Sequence, residues 1–127
     1  MPGTDQGRST QRKGDMATSR ALASFTARGW DVSVPFTESA AYDLVVDVAG
    51  PLFRVQCRYS SSRHVNLRRI HSNSQGYVVK SVEENAYDWL YVLRPDGNEY
   101  LIKECLVGRR AVTVQPEYLL GAVAESG

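Results

Sequence analysis

The chain has 127 residues, 43% of them hydrophobic and 23% charged, an ordinary globular balance for one domain that buries its core without covalent staples. No apolar run is long enough to span a bilayer, and two cysteines, Cys57 and Cys105, fall short of a disulfide framework or a metal-binding set. The formal net charge of +1 hides an uneven distribution: Val48 to Val82 carries six basic residues and no acid, whereas eight acids face four bases from Glu83 onward.

Taken in chain order, residues 1–14 are polar, with no apolar signal core, and are expected to form a disordered arm ahead of a single domain over 15–127. The two cysteines are then expected to be reduced thiols of a cytoplasmic protein with no membrane partner. Asp15 is a suitable N-cap for a helix over Met16 to Arg28, which Gly29 ends. Ala21, Leu22 and Phe25 share a stripe of that helix, and Thr18 lies four residues before Leu22 on its edge.

Asp31 to Val34 alternates like a short strand. Tyr42 to Ala49 and Leu52 to Tyr59 are two β-rich runs around Gly50-Pro51, the pattern of a hairpin. With the turn at those two residues, Asp43 stands opposite Arg58, Val45 opposite Gln56, and Asp47 opposite Arg54. Ser60 to Gly76 is polar and basic, with an apolar alternation at Val65, Leu67 and Ile70, and reads as an extended arm or a small hairpin. Tyr77 to Val82 is a further short strand, and Glu83 to Tyr87 a single helical turn. Asp88 to Leu93 and Glu99 to Ile102 flank the turn Arg94-Pro-Asp-Gly-Asn98 as a second hairpin. An edge strand at Ala111 to Val114 and a short helix from Gln115 to Val123 complete the order.

The first hairpin carries the chemistry. Phosphodiester hydrolysis needs a divalent cation held by oxygen ligands, and a positive charge against the developing phosphorane. Asp43 on one strand, with Gln56, the Cys57 carbonyl and Arg58 on the next, supplies such a set. The same spacing also describes a solvated ladder of ion pairs, Asp47 with Arg54 and Asp43 with Arg58, each contributing roughly 0–1 kcal/mol. His64 and His71 read as surface histidines, and Trp30 and Trp89 as core residues.

Four stretches, Lys13-Gly-Asp-Met16, Ala41-Tyr-Asp-Leu-Val-Val-Asp47, Phe53-Arg-Val-Gln-Cys-Arg58 and Tyr87-Asp-Trp-Leu-Tyr-Val92, resemble a branch of the PD-(D/E)XK nuclease superfamily similar to homing endonucleases of cyanobacterial group I introns. The resemblance covers about Lys13 to Lys103. It implies a mixed α/β, restriction-endonuclease-like αβββαβ core and Mg²⁺- or Mn²⁺-dependent cleavage of double-stranded DNA by a homodimer or homotetramer. It assigns catalysis to Asp43, Gln56, Arg58 and the Thr18 position, and metal binding to Asp43, Gln56 and Cys57. DNA contact falls to Arg63, His64, Asn66, Arg68 and Arg69, which follow the catalytic strand. Two positions depart from the family: Thr18 stands where a Glu is usual, and Arg58 where a Lys is usual. One carboxylate of two remains, so the cation is expected to bind weakly. Either a homing-type endonuclease with an altered centre or an inactive, nuclease-derived DNA-binding or assembly module follows.

Overall fold

In the computed structural model the described residues are 6–67, 69–73, 76–80 and 85–121. They form a helix, α1 (Gln6–Ala27), and nine strands: β1 (Asp31–Ser33), β2 (Leu44–Asp47), β3 (Leu52–Tyr59), β4 (His64–Asn66), β5 (Arg69–Asn73), β6 (Gly76–Lys80), β7 (Trp89–Leu93), β8 (Glu99–Ile102) and β9 (Ala111–Thr113). Five strands make the main sheet in the order β1-β2-β3-β7-β8. Every neighbouring pair in it is antiparallel except β3 and β7, which are parallel. This is the mixed α/β, restriction-endonuclease-like layout expected from the sequence.

Each face of the sheet is covered differently, and strand alternation decides which residue goes where. On one face Leu44, Val46, Val55, Cys57, Trp89, Tyr91 and Leu93 bury against Ala17, Ala21 and Phe25 of α1. The Tyr91 ring meets Phe25 edge-on at 5.8 Å between centroids, and its hydroxyl donates to Glu99 at 2.6 Å. Trp89 stacks on Phe53 at 4.4 Å, so it is a core residue as its sequence context indicates. On the other face Leu90, Val92 and Ile102 bury against Val65 and Leu67 around β4 and Val112 and Val114 around β9. The basic stretch after β3 therefore does not stay an extended arm: β4 pairs antiparallel with β9, burying Val65 and leaving His64 and Asn66 exposed.

Several elements differ from the sequence reading for identifiable reasons. α1 starts at Gln6, so residues 6–14, expected in the arm, are helical; Met1 to Asp5 lie outside the described residues. The buried stripe is Ala17, Ala21 and Phe25, with a period of four, and Leu22 falls off it into solvent. The connection from β3 to β7, where the expected core has its second helix, contributes β4, β5 and β6; the helical turn expected at 83–87 begins outside the described residues. Beyond β9 there is a single 3-10 turn, Pro116–Tyr118, in place of a longer helix.

The β2–β3 hairpin turns on Ala49 and Gly50, not on Gly50 and Pro51. Ala49 has φ 54° and Gly50 φ 119°, and the Val48 N–H donates to the Pro51 carbonyl at 2.9 Å to close the turn. A tight two-residue hairpin of this hand needs positive φ at both central positions. Proline is locked near −65° and cannot take one. The turn therefore slides back by one residue and pairs Leu44 with Val55, Val45 with Arg54 and Asp47 with Leu52.

The parallel seam between β3 and β7 opens on a reciprocal clasp. The Arg54 N–H donates to the Asp88 carboxylate at 2.8 Å, the Asp88 N–H donates to the Arg54 carbonyl at 2.9 Å, and the two side chains meet in a forked ion pair at 3.1 and 3.2 Å. The guanidinium hydrogen bond holds the Asp88 carboxyl below its ordinary value of 3.8. A carboxyl depressed on folding adds stability above its unfolded pKa and loses it as pH falls through the folded value. Asp88 is 39% exposed, which limits the pair to the order of 1 kcal/mol. Asp88→Ala is therefore expected to lower the urea midpoint at pH 7 modestly, with the gap to wild type closing below about pH 3–4. A gap that persists undiminished at pH 2 would assign the loss to packing instead.

Candidate active site

Asp43 immediately precedes β2 and already belongs to its ladder, since its N–H donates to the Val55 carbonyl at 2.8 Å. The regular register ends with Leu44 across from Val55, so Asp43 and Leu44 both meet Val55, as at a bulge, and Asp43 does not stand across from Arg58 as expected with a Gly50-Pro51 turn. Along β2 the register is shifted by two residues from that expectation, which keeps every side chain on its face. The Asp43 Oδ2 accepts the Gln56 Nε2–H at 3.0 Å and the Cys57 N–H at 2.8 Å. Two donors on one oxygen fix the rotamer of the carboxylate.

Half of the ladder of ion pairs that the spacing allowed is replaced by other partners. Asp47 caps the hairpin turn by accepting the Gly50 N–H at 2.8 Å, and Arg54 is taken by Asp88. Arg58 lies half-buried on the same face of β3 as Gln56, with its Nε enclosed.

Thr18 approaches from the helix side. It is half-buried, its hydroxyl donates to the Gly14 carbonyl at 3.2 Å, and it lies close to the Cys57 thiol. Asp43 and Thr18 line one open cleft of about 390 Å³, with Asp15 and Ser19 of α1 and Pro35 and Phe36 of the loop after β1. The Cys57 thiol is 5% exposed. Burial first, then the nearby Asp43 charge, pushes it far above the ordinary thiol range, against smaller opposing effects of Thr18 and Arg58. Sulfur is a soft ligand in either state, so only the main-chain carbonyl of Cys57 offers a hard oxygen.

The structure thus links Thr18, Cys57, Asp43 and Gln56 by contacts, with Arg58 beside them on β3. The residues singled out for DNA contact are not gathered as closely. Arg63 and Asn66 are exposed, and His64 shares a 3.2 Å contact between its Nδ1 and the Thr113 hydroxyl. Arg69 falls in β5, and Arg68 lies outside the described residues. Sequence reading missed Arg109 and Arg110, both exposed; the Arg110 carbonyl accepts the Leu67 N–H at 2.9 Å, which brings this basic pair beside β4. The excess of acids after Glu83 concealed them, although an Arg-Arg step before a β-rich run was visible.

A sequence model of the PD-(D/E)XK endonucleases matches residues 8–104. The chain belongs to the PD-(D/E)XK endonuclease family. This PD-(D/E)XK protein is also similar to a solved bacterial homing endonuclease, I-Ssp6803I, with a TM-score of 0.69 and 26% identity over 84% of this chain and 78% of that one. Comparison with curated proteins finds none that matches.

The two thiols give a direct check on the centre. In the native protein at pH 8, a thiol reagent should modify Cys105, which is partly exposed, and spare Cys57 until denaturant is added. In a Cys105→Ala variant almost no fast-reacting thiol should remain. Rapid modification of Cys57 in that variant would mean that the helix does not seal this side of the sheet.

Proposed function

We propose that this PD-(D/E)XK protein is a metal-dependent DNA endonuclease of homing or mobile-element type, with its centre at Asp43, Gln56, Cys57 and Arg58. One observation carries the reading: the Asp43 carboxylate is clamped by Gln56 and the Cys57 N–H in the wall of a cleft that Asp15 and Glu38 also line. Family membership supplies the reaction class, and the relative's description as a homing endonuclease supplies the type.

The family implies a divalent cation, Mg²⁺ or Mn²⁺. The donors at hand suit a hard cation: the Asp43 carboxylate, the Gln56 amide oxygen and the Cys57 carbonyl. Among the described residues no three His, Cys, Asp or Glu side chains group to hold a metal, and the helix position that would add a carboxylate is the neutral Thr18, so the affinity is weak. When bound, such a cation supplies a Lewis acid and lowers the pKa of a water. Gln56 orients Asp43 and offers its oxygen. Arg58 keeps a fixed positive charge near the phosphate and, because it does not release its proton, stabilises charge without acting as a base. The partner is double-stranded DNA, contacted through Arg63, His64, Asn66, Arg68 and Arg69. Cutting both strands calls for two centres related by symmetry, hence a homodimer or homotetramer working in the cytoplasm.

A second reading, an inactive DNA-binding or assembly module, is favoured by Thr18. Its hydroxyl is turned back onto the Gly14 carbonyl, and a neutral side chain occupies the place where the family carries its helix carboxylate.

Plasmid nicking with Mg²⁺ or Mn²⁺ tests both. Wild-type nicking abolished by Asp43→Ala, and raised by Thr18→Glu or unharmed by Arg58→Lys, supports the enzyme. A silent wild type together with a folded, DNA-binding but silent Thr18→Glu/Arg58→Lys variant supports the module. Nicking that survives Asp43→Ala would remove Asp43 from the centre.

The DNA contacts are tested by salt. Each phosphate contact contributes about −0.9 to the slope of log affinity against log salt. Replacing Arg63, Arg68 and Arg69 by Ala is expected to flatten that slope by roughly two to three units. An unchanged slope would point this segment away from the duplex.

A further inference from the structure

The first half of α1 adds little to the core. Among the described residues the helix buries Ala17, Ala21 and Phe25, while Ser9 to Lys13 stay exposed. From Gln6 to Asp15 the sequence, Gln-Gly-Arg-Ser-Thr-Gln-Arg-Lys-Gly-Asp, contains no apolar residue. At about 1.5 Å per residue, this leaves on the order of 14 Å of helix running past the part that packs.

The direction of that stretch follows from two proximities. Thr18 lies close to Cys57, and five residues earlier the Lys13 Nζ lies 5.8 Å from the centroid of the Tyr59 ring. The helix thus runs antiparallel to β3, and its exposed basic half lies toward the end of β3 where Arg58 and the Asp43 cleft lie. Arg12 and Asp15 line a shallow groove on the same stretch of helix, with Met16 and Arg20.

The electrostatics of this half are unsuited to an isolated helix. Its first turn has no acid, and the adjacent cations Arg12 and Lys13 repel each other on its exposed stretch. Two glycines, Gly7 and Gly14, weaken it further. A helix that is polar all round draws nothing from a core. A second copy of this chain would need an apolar seat that the segment does not offer. A polyanion supplies what is missing, because phosphates neutralise the repulsion between the cations.

We propose that the basic half of α1, Gln6–Gly14, is a second DNA-contacting element that lays Arg12 and Lys13 against backbone phosphates flanking the Asp43 site. The inference rests on the nuclease reading for its partner, and it is separate from the contacts assigned to the segment after β3. The recognised chemistry is the phosphate backbone, so this contact adds affinity and orientation without sequence preference.

Fluorescence anisotropy of the full chain with a duplex of roughly 30 base pairs, in Ca²⁺ and across a salt series, tests it. Arg12→Ala/Lys13→Ala should flatten the log–log slope by about 1.8 units, while Arg12→Lys/Lys13→Arg keeps it. Alanine favours the helix, and an unchanged melting temperature confirms that the fold is intact. Adding duplex to the wild type should also deepen the far-ultraviolet helical signal, and the alanine pair should reduce that change. If the wild type binds with a steep slope and the alanine pair leaves it unaltered, this stretch is not a contact, and the nuclease reading stands. If the wild type shows no salt-dependent binding to any duplex, the nuclease reading fails and takes this proposal with it.

Discussion

Pro51 cannot take a positive φ, and the placement of the centre follows from that restriction. Because Ala49 and Gly50 must carry the turn, β2 and β3 pair with Val48 against Pro51, and at the far end of the hairpin the Asp43 side chain comes within reach of Gln56 and the Cys57 N–H. Had Gly50 and Pro51 carried it, Asp43 would have reached Arg58, and the Cys57 N–H would have lain beyond its carboxylate. Ala49 accepts a left-handed conformation that costs a residue with a Cβ roughly 1 kcal/mol, a cost offset by the Asp47 side chain receiving the Gly50 N–H. A solvent-exposed turn thus determines the geometry of a centre at the opposite end of two strands.

The alternation of β3 then divides labour between the faces. Val55 and Cys57 look toward α1 and seal the core, while Gln56 and Arg58 look the other way. Asp43, at the strand end, is the one residue of the group reached from both sides: it touches Gln56 and also shares its cleft with Thr18. The thiol of Cys57 is spent on packing, and only its main chain takes part. The fold does not need a carboxylate at the Thr18 position: Thr18 satisfies its hydroxyl locally, on the Gly14 carbonyl.

Much of this was legible in the sequence, and what was not has physical causes. The faces of β2 and β3 followed from a period of two, which no error of turn position by one residue could disturb. The pairing itself depended on recognising that Ala-Gly, with a less familiar turn sequence than Asn-Gly, was preferred to Gly-Pro. The start of α1 could not be seen because residues 6–15 show no hydrophobic period at all. Arg54 was assigned to Asp47, its neighbour across the hairpin; its actual partner, Asp88, is 34 residues away and is reached only once the parallel seam has formed. The pairing of β4 with β9 was hidden in the same way, since short strands distant in sequence carry no mark of each other.

That seam has a consequence for how such a chain can change. β3 and β7 are joined side by side by the Arg54–Asp88 clasp and the parallel ladder, while β5 and β6 between them pair only with each other. The hairpin is therefore held between β4, which is packed on the sheet, and the start of β7, and doubling the length of a loop closed in this way costs only about 0.6 kcal/mol of chain entropy. Lengthening the β5–β6 hairpin leaves both of these anchors untouched. Chain entropy therefore sets little limit on the length of this segment, provided that β4 keeps its seat and Arg54 and Asp88 continue to find each other.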